Sequence, residues 1–280
     1  SDTVGLVVRG VQNPFYTDII RAIEHKLDLA GYTMVMRQIA SCDDEVKCGA
    51  VMEREKRLQG IVFLGGRFDY TPADLAMLNV PFVCCSYSNR YGTLIEGEYS
   101  SVSIADGDTA QQAVEELYRH GHRRIAALIS RPNDQSISQL RYEGYVQALE
   151  SHGIPVDPEL VISTDGFDVR DAYSAVKAAL ERGADFTALF AIADSMAIGA
   201  MRALMDAGRR IPEDCSVIAI DGLELSAYIE PPLTTLCQPM EEMGRRSAEI
   251  LLDMVRHKGS HACELLPTTL RQGRSVAAPG

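Results

Sequence analysis

The sequence predicts an α/β fold in two halves, each a parallel sheet with helices on both faces. Short apolar runs of strand length alternate with helical periodicities along nearly the whole chain, and the alternation passes through two successive sets of units. It is plainest between Thr187 and Leu252. There TALFAIA, Thr187 to Ala193, is apolar throughout rather than alternating, as a strand buried on both faces requires. Asp194 and Ser195 are helix-start residues, and Met196, Ala197, Gly199, Ala200, Met201, Ala203 and Leu204 give the small apolar face of a helix that ends near Gly208. Ile211 to Asp214 turns the chain into a second buried strand, Cys215 to Ile220, closed by Asp221-Gly222. Pro231-Pro232 forbids a helical start, so Pro231 to Thr235 reads as an extended connection before an amphipathic helix from Met240 to Val255.

From the N-terminus, Thr3 to Val8 is a strand, Gln12-Asn13-Pro14 a turn, and Phe15 to Ala30 a helix with Ile19, Ile20, Ile23 and Leu27 on one face, stopped by Gly31. A strand at 32–39, a helix at 43–59, a strand at 60–64 and a short helix at 72–78 follow, then strands at 81–85 and 102–104. Ser88 to Ser100 is polar and Gly-containing, which predicts a mobile surface loop. Gly107 to His120 is helical. The second set then runs strand 124–129, helix 138–152, strand 160–163 and helix 169–182, with a late strand at 264–266. Two sheets imply two subdomains with a cleft.

Composition bounds the function. With 280 residues, 46% of them hydrophobic, the chain can bury a full core, and its apolar runs stay far below the roughly 18 residues of a membrane span. Nothing at the start resembles a signal peptide. A net charge of −12, from 39 acids and 27 bases, argues against this segment gripping a phosphate backbone. Seven cysteines, including adjacent Cys84 and Cys85, show no CxxC and no zinc spacing, so they read as small core residues of a reducing cytoplasm; Cys42 and Cys48 form a chance pair rather than a metal site.

Catalytic signatures are missing. The first strand exits through Arg9-Gly10-Val11-Gln12-Asn13 without GxGxxG, and Walker, HExxH and GxSxG patterns do not occur. His120 and His122 sit in a helix-end turn, where they favour the helix dipole. Asp106 and Asp108 flank Gly107 as capping acids. No catalytic residue, cofactor or metal is predicted. Asp194 and Asp221 remain: both end neighbouring strands, where open parallel sheets bind ligands, although a helix N-cap and a turn residue are the plain alternatives.

The ordered stretch FAIADSMAIGAMRAL, then AGRRIPEDCSVIAIDGLELSAYIEPPLTTLCQPMEEMGRRSAEILL, closely resembles the effector-binding core of LacI/GalR-type transcription regulators, which share their fold with periplasmic sugar-binding proteins. The resemblance extends to nearly the whole chain. It implies two Rossmann-like subdomains joined by a three-strand hinge, in the periplasmic binding protein type I manner, with crossings near Asp106, Thr235 and Pro267. The N-terminal subdomain would be residues 1–106 with 236–266, and the C-terminal one 107–235 with 267–280.

It also implies contacts to an effector in the interdomain cleft. Asn13-Pro14-Phe15-Tyr16 matches the first-helix motif whose aromatics cover the ligand, and aromatics at an exposed helix start suit a sugar's C–H face. Arg141 matches a ligand-contacting arginine, Asp221 the acid that accepts from ligand hydroxyls, Phe167 an aromatic beyond the strand near Ser163, and Gln238 a hinge polar residue. Ser86 and Tyr87 stand where many sugar-binding members carry an Asp-Arg-like pair, and Ala193 replaces a common Asn. The expected effector is a sugar, a sugar acid or another small polar metabolite, with Ser86 kept among its contacts. Operator DNA would be met only through a helix-turn-helix headpiece that these residues do not include, since residue 4 already begins the first core strand. A homodimer and no membrane contact are expected. The alternatives are an exported solute-binding protein of a sugar transporter and an α/β enzyme.

Overall fold

The computed structural model describes residues 2–10 and 13–280; Val11 and Gln12, which the sequence places in the first strand exit and turn, lie outside them. In chain order the elements are β1 (Thr3–Arg9), α1 (Tyr16–Leu29), β2 (Thr33–Ile39), α2 (Glu45–Lys56), β3 (Gly60–Leu64), α3 (Pro72–Leu75), β4 (Phe82–Cys85), β5 (Ser101–Ser103), α4 (Asp106–Arg119), β6 (Ile125–Ile129) and α5 (Ile137–Ser151). Then come β7 (Val161–Ser163), α6 (Val169–Glu181), β8 (Ala188–Ala191), α7 (Asp194–Asp206), β9 (Ser216–Asp221), β10 (Thr234–Cys237), α8 (Met240–His257), β11 (Cys263–Leu265) and β12 (Thr269–Arg271).

The chain divides into two units, residues 1–104 with 239–266 and residues 105–238 with 267–280. The first holds a parallel sheet in the order β11-β5-β4-β3-β1-β2. The second holds β12-β10-β9-β8-β6-β7, parallel except for β12, which runs antiparallel on β10. The division differs from the expected one by two residues at the first crossing and three at the second, and not at the third: Asp106 is ion-paired to Arg141, and β10 carries Leu236 and Cys237 to its end within the second sheet.

Local chemistry sets these elements. Ile19, Ile23 and Leu27 put the buried stripe of α1 at helical spacing, and Gly31, at φ 83°, supplies the left-handed turn after it. The Asp44 carboxylate caps α2 through the amides of Val46 and Lys47 at 3.0 and 3.1 Å, and Thr71 with Asp74 forms a capping box on α3. Strands β3, β6 and β8, and β9 with its apolar centre Val217 to Ile220, are buried at every residue, as such apolar runs predict.

Three expectations change. The extended connection after Pro232 becomes a ladder strand, because Thr234 to Cys237 pairs with β9 once the prolines are passed. The late segment 269–271, not foreseen, closes that edge. The loop 88–100 is anchored rather than mobile: Tyr91 and Thr93 donate their amides to the carbonyls of Phe68 and Tyr70 at 3.0 and 2.9 Å, Leu94 is buried, and Tyr87 stacks on Tyr70 with centroids 5.1 Å apart.

Candidate functional site

In a parallel sheet every strand delivers its carboxyl end to the same edge, and the crevice there opens where the strand order reverses. In the second unit that reversal lies between β6 and β8, the neighbours from which the order runs outward to β7 and to β9. Arg141 stands on α5, which follows β6. Its side chain is 2% exposed, and Nη1 donates to the carbonyl of Ile192, just past β8, at 2.5 Å. Nε donates to Asp106 Oδ1 at 2.9 Å. Nη2 is also 2.9 Å from that oxygen but off-line for a hydrogen bond, and it has no other partner. Asp106 is therefore an ion-pair partner of Arg141 and not the helix cap predicted for it: it is the first residue of α4, Ala105 holds the cap position, and no side chain caps that helix.

Asp221 ends β9, 3.9 Å from Arg141 Nη1, with 3% exposure and φ 147°, a backbone region that side chains other than glycine rarely occupy. The register sets Cys237 opposite Asp221, so Gln238 follows immediately: its amide donates to the Asp221 carbonyl and its Nε2 to Asp221 Oδ1, both at 2.9 Å, while its Oε1 is buried without a partner. Burial, with the negative charge of Asp194 adding to it, pushes the Asp221 carboxyl up to about 7 against the opposing pull of Arg141 and Gln238. Burial likewise raises Asp106 and Asp194. At neutral pH Asp221 can thus either donate to or accept from a hydroxyl.

Asp194 differs from its expected part as a helix cap. It is the first residue of α7, Ala193 being the cap position, and its carboxylate turns away to Gly222, Leu223, Ser226 and Thr235. His122 is not the dipole-facing residue of a helix-end turn either. It is buried, with Nδ1 on Thr187 at 2.8 Å and Nε2 on Ser216 and the Ala277 carbonyl at 3.1 and 2.7 Å, and burial lowers its affinity for a proton. Phe167, half-buried, gives its carbonyl to the Ser195 hydroxyl at 2.9 Å.

The first unit carries the remaining candidates at the same kind of edge, where its order reverses between β1 and β3. The Asn13 side chain accepts from the Phe15 amide at 3.1 Å. Phe15 is 3% exposed, so the exposed aromatic pair expected at this helix start is reduced to one half-exposed ring, Tyr16. Ser86, past β4, is buried with φ 58°. Gly65, at φ 72°, lies where an added Cβ would meet the Tyr16 hydroxyl.

Sequence reasoning missed a polar cluster beside them. Glu45, fully buried at the start of α2, accepts from the Arg67 amide at 2.8 Å and from the Tyr70 hydroxyl, and stands 3.4 Å from Arg9 Nε. Its partners lie 22 to 36 residues away in sequence, so no local pattern announces them. The available signal was Arg9 itself, an ionisable residue ending an apolar strand.

Among the described residues, the buried side-chain atoms without a hydrogen-bond partner are Arg9 Nε, Glu45 Oε2, Arg67 Nε and Nη2, Asp69 Oδ1, Arg141 Nη2 and Gln238 Oε1. An unpaired buried polar group costs about 1–3 kcal/mol, and native structures keep few. Arg9 ends β1, Glu45 starts α2, Arg67 and Asp69 follow β3, Gln238 follows β10, and Arg141 stands in the second turn of α5. Among the described residues no group of three or more His, Cys, Asp or Glu could hold a metal, and no helix is long and apolar enough to cross a membrane.

Comparison with known proteins agrees with this fold. The family described as periplasmic binding protein-like domain matches residues 114–276. The HTH-type transcriptional regulator MalR of Clostridium butyricum is 35% identical over 271 residues, covering 95% of this chain and 79% of the relative. A transcriptional regulator CelR–cellobiose complex superposes with a TM-score of 0.86 at 31% identity, covering 99% of this chain and 85% of that one. A LacI family transcriptional regulator from Enterococcus faecium with bound ribose gives 0.81 at 28% identity, covering 99% of each chain. With the fold and the relatives in agreement, the chain belongs to the LacI family of transcription regulators and spans the part of them that adopts the periplasmic binding protein-like fold.

Proposed function

We propose that this chain is the effector-sensing part of a transcription regulator, and that its effector is a small neutral hydroxylated molecule, a sugar or a close relative. The observation that carries the reading is the set Arg141, Asp221 and Gln238. A buried donor, Arg141 Nη2, and a buried acceptor, Gln238 Oε1, both lack a hydrogen-bond partner, Nη2 having only its ion pair to Asp106, and they flank a carboxyl that burial pushes up to about 7. Hydroxyls, which donate and accept at once, complete such a set. A carboxylate effector fits poorly. Two buried carboxyls, Asp106 and Asp221, attend the Arg141 guanidinium, which is already engaged, and Asp194 adds a third negative charge beside Asp221, so a further anion would meet more repulsion than attraction. This narrows the sugar or sugar acid expected from the sequence to the neutral class.

Asn13, Phe15, Tyr16, Ser86 and Phe167 enter the proposal as further effector contacts on the strength of the family resemblance. The protein acts in the cytoplasm, where all seven cysteines, free in the structure, stay reduced. It works as a homodimer, supported by exposed Met36 and Val51 on β2 and α2, and it changes the operator affinity of a DNA-binding headpiece. A coupling of about 1–3 kcal/mol suffices for a roughly 5- to 150-fold change.

The test is a thermal-shift screen with cellobiose, ribose and matched neutral and acidic pairs such as glucose and gluconate, repeated with Arg141→Ala and Asp221→Asn. A ligand at a hundredfold its dissociation constant adds about 2.7 kcal/mol of stability, which is readily visible. A neutral compound should stabilise the parent and neither variant. A stronger response to the acid of a pair, or variants that respond like the parent, would overturn the reading.

A further inference from the structure

Asp194 has no exposed surface and accepts four hydrogen bonds. The Gly222 and Leu223 amides donate to Oδ2 at 3.1 and 2.9 Å, the Ser226 hydroxyl to Oδ2 at 2.6 Å, and the Thr235 hydroxyl to Oδ1 at 2.6 Å. None of these partners belongs to its own helix. They lie on the segment leaving β9, on the 3-10 turn Glu224–Ala227 and on β10, the elements that surround Asp221. Asp221 needs such restraint, because its φ of 147° is costly for any residue with a side chain, and an alternative backbone would turn its carboxyl away from Arg141 and Gln238. Fixing the two amides that follow removes that freedom. The next residue cannot take up the slack either: at Gly222, φ 78°, an added Cβ would strike Cys237.

We propose that Asp194 is a positioning residue for Asp221, holding the two amides after it so that the Asp221 carboxyl stays aimed at the Arg141–Gln238 side of the strand edge. The assignment rests on the reading of Asp221 as an effector contact. It adds a function for a carboxylate that itself touches no effector, since its hydrogen-bonding capacity is filled by the protein.

Asp194 also acts on Asp221 through space, as a second negative charge in a site with little water. Asp221 faces Arg141 from α5, Asp194 from α7, and Cys237 and Gln238 from the end of β10. Asp106 on α4 stands behind Arg141, and Arg271 on β12 donates to Ser226 Oγ at 2.5 Å, so it meets Asp194 only across that hydroxyl. Removing the charge of Asp194 while keeping its shape should make Asp221 easier to ionise.

Two readouts on the ligand-free protein test this. With carbon-13 in the aspartate carboxyls, and Asp221 assigned by its loss in Asp221→Asn, the parent should titrate near 7, and Asp194→Asn should move that midpoint down toward the ordinary 3.8. Amide hydrogen exchange at Gly222 and Leu223 should speed by about tenfold or more as charge-assisted bonds are lost. Thr235→Val removes one bond and keeps the charge; it should hasten exchange at Gly222 without lowering the midpoint, and it serves where Asp194→Asn folds poorly. An unmoved Asp221 midpoint in Asp194→Asn, or exchange as slow as in the parent in both variants, would overturn the assignment. Neither readout involves an effector, so these failures are distinct from a null result in the ligand screen.

Discussion

Replacing Asp221 by asparagine should stabilise the ligand-free protein at neutral and alkaline pH while abolishing its effector response. The Asp221 carboxyl is held at about 7, against an ordinary value of 3.8, chiefly because its charged form is buried. A group whose folded pKa lies above its unfolded one contributes stability that is fully present below the unfolded value and is lost as pH rises through the folded one. The window here is therefore roughly pH 4 to 7. A displacement of about three pH units, at about 1.36 kcal/mol each, sets an upper bound of about 4 kcal/mol for what ionising Asp221 costs the fold. Asparagine keeps the acceptor for Gln238 Nε2 and has nothing to ionise. Urea unfolding of parent and variant at pH 4, 5.5, 7 and 8.5 measures the difference. It should be small at pH 4, grow in favour of the variant through pH 7, and level off above. A variant less stable than the parent at pH 8.5, or a difference independent of pH, would refute the argument that burial dominates this carboxyl.

Other perturbations have distinct signatures. Gly144→Ala places a Cβ 2.9 Å from Ala110 Cβ and against the Gly107 backbone, where α5 crosses α4; it should cost about 1–3 kcal/mol in urea unfolding and weaken effector binding, because Arg141 stands one turn away on the same helix. Burial lowers the His122 pKa, so its contribution is present above about pH 6.5 and lost as pH falls. His122→Asn should therefore cost about 1–3 kcal/mol at pH 7.5 and progressively less toward pH 5, read from thermal melts across that range. Glu45→Gln leaves Arg9 without its counter-ion and should cost about 1–3 kcal/mol, while amide exchange across β6 and β9 in the second unit stays unchanged.

The strand and helix pattern was legible because burial on both faces writes itself as unbroken apolar runs, as in Ala188 to Ala191 and Val217 to Ile220, with caps and glycines between them. Strand β12 was not legible. Three residues, exposed or half-exposed, pairing with one neighbour leave no periodicity to read. The loop 88–100 misled because polar composition says nothing about backbone bonds to Phe68 and Tyr70, which depend on where the chain returns. In the site, strand-end position alone picked out Asp194 and Asp221, while Arg141 and Gln238 needed the family resemblance. Their partners, and Glu45 with Arg9, arise from contacts across tens of residues. The same limit explains why Asp194 could be placed at the edge yet not given its role: the four donors that fill it come from positions 28 to 41 residues further along the chain.

The placement of cost in this fold follows from that division. The central strands β3, β6 and β8 are apolar and fully buried, and their interior asks for nothing beyond packing. The aspartates that resist their surroundings stand at the carboxyl edge of the second sheet. Asp106, Asp194 and Asp221 are each held above the ordinary carboxylate range by burial, and unpaired nitrogens and oxygens lie beside Arg141 and Gln238. A fold selected for stability alone would replace such groups with apolar ones, since a well-packed hydrophobic substitute is often neutral or stabilising. On the proposed reading, their retention at that edge is the cost of keeping a site polar and preorganised before its ligand arrives, and it would tie sensing to the backbone geometry of Asp221 that Asp194 is proposed to secure.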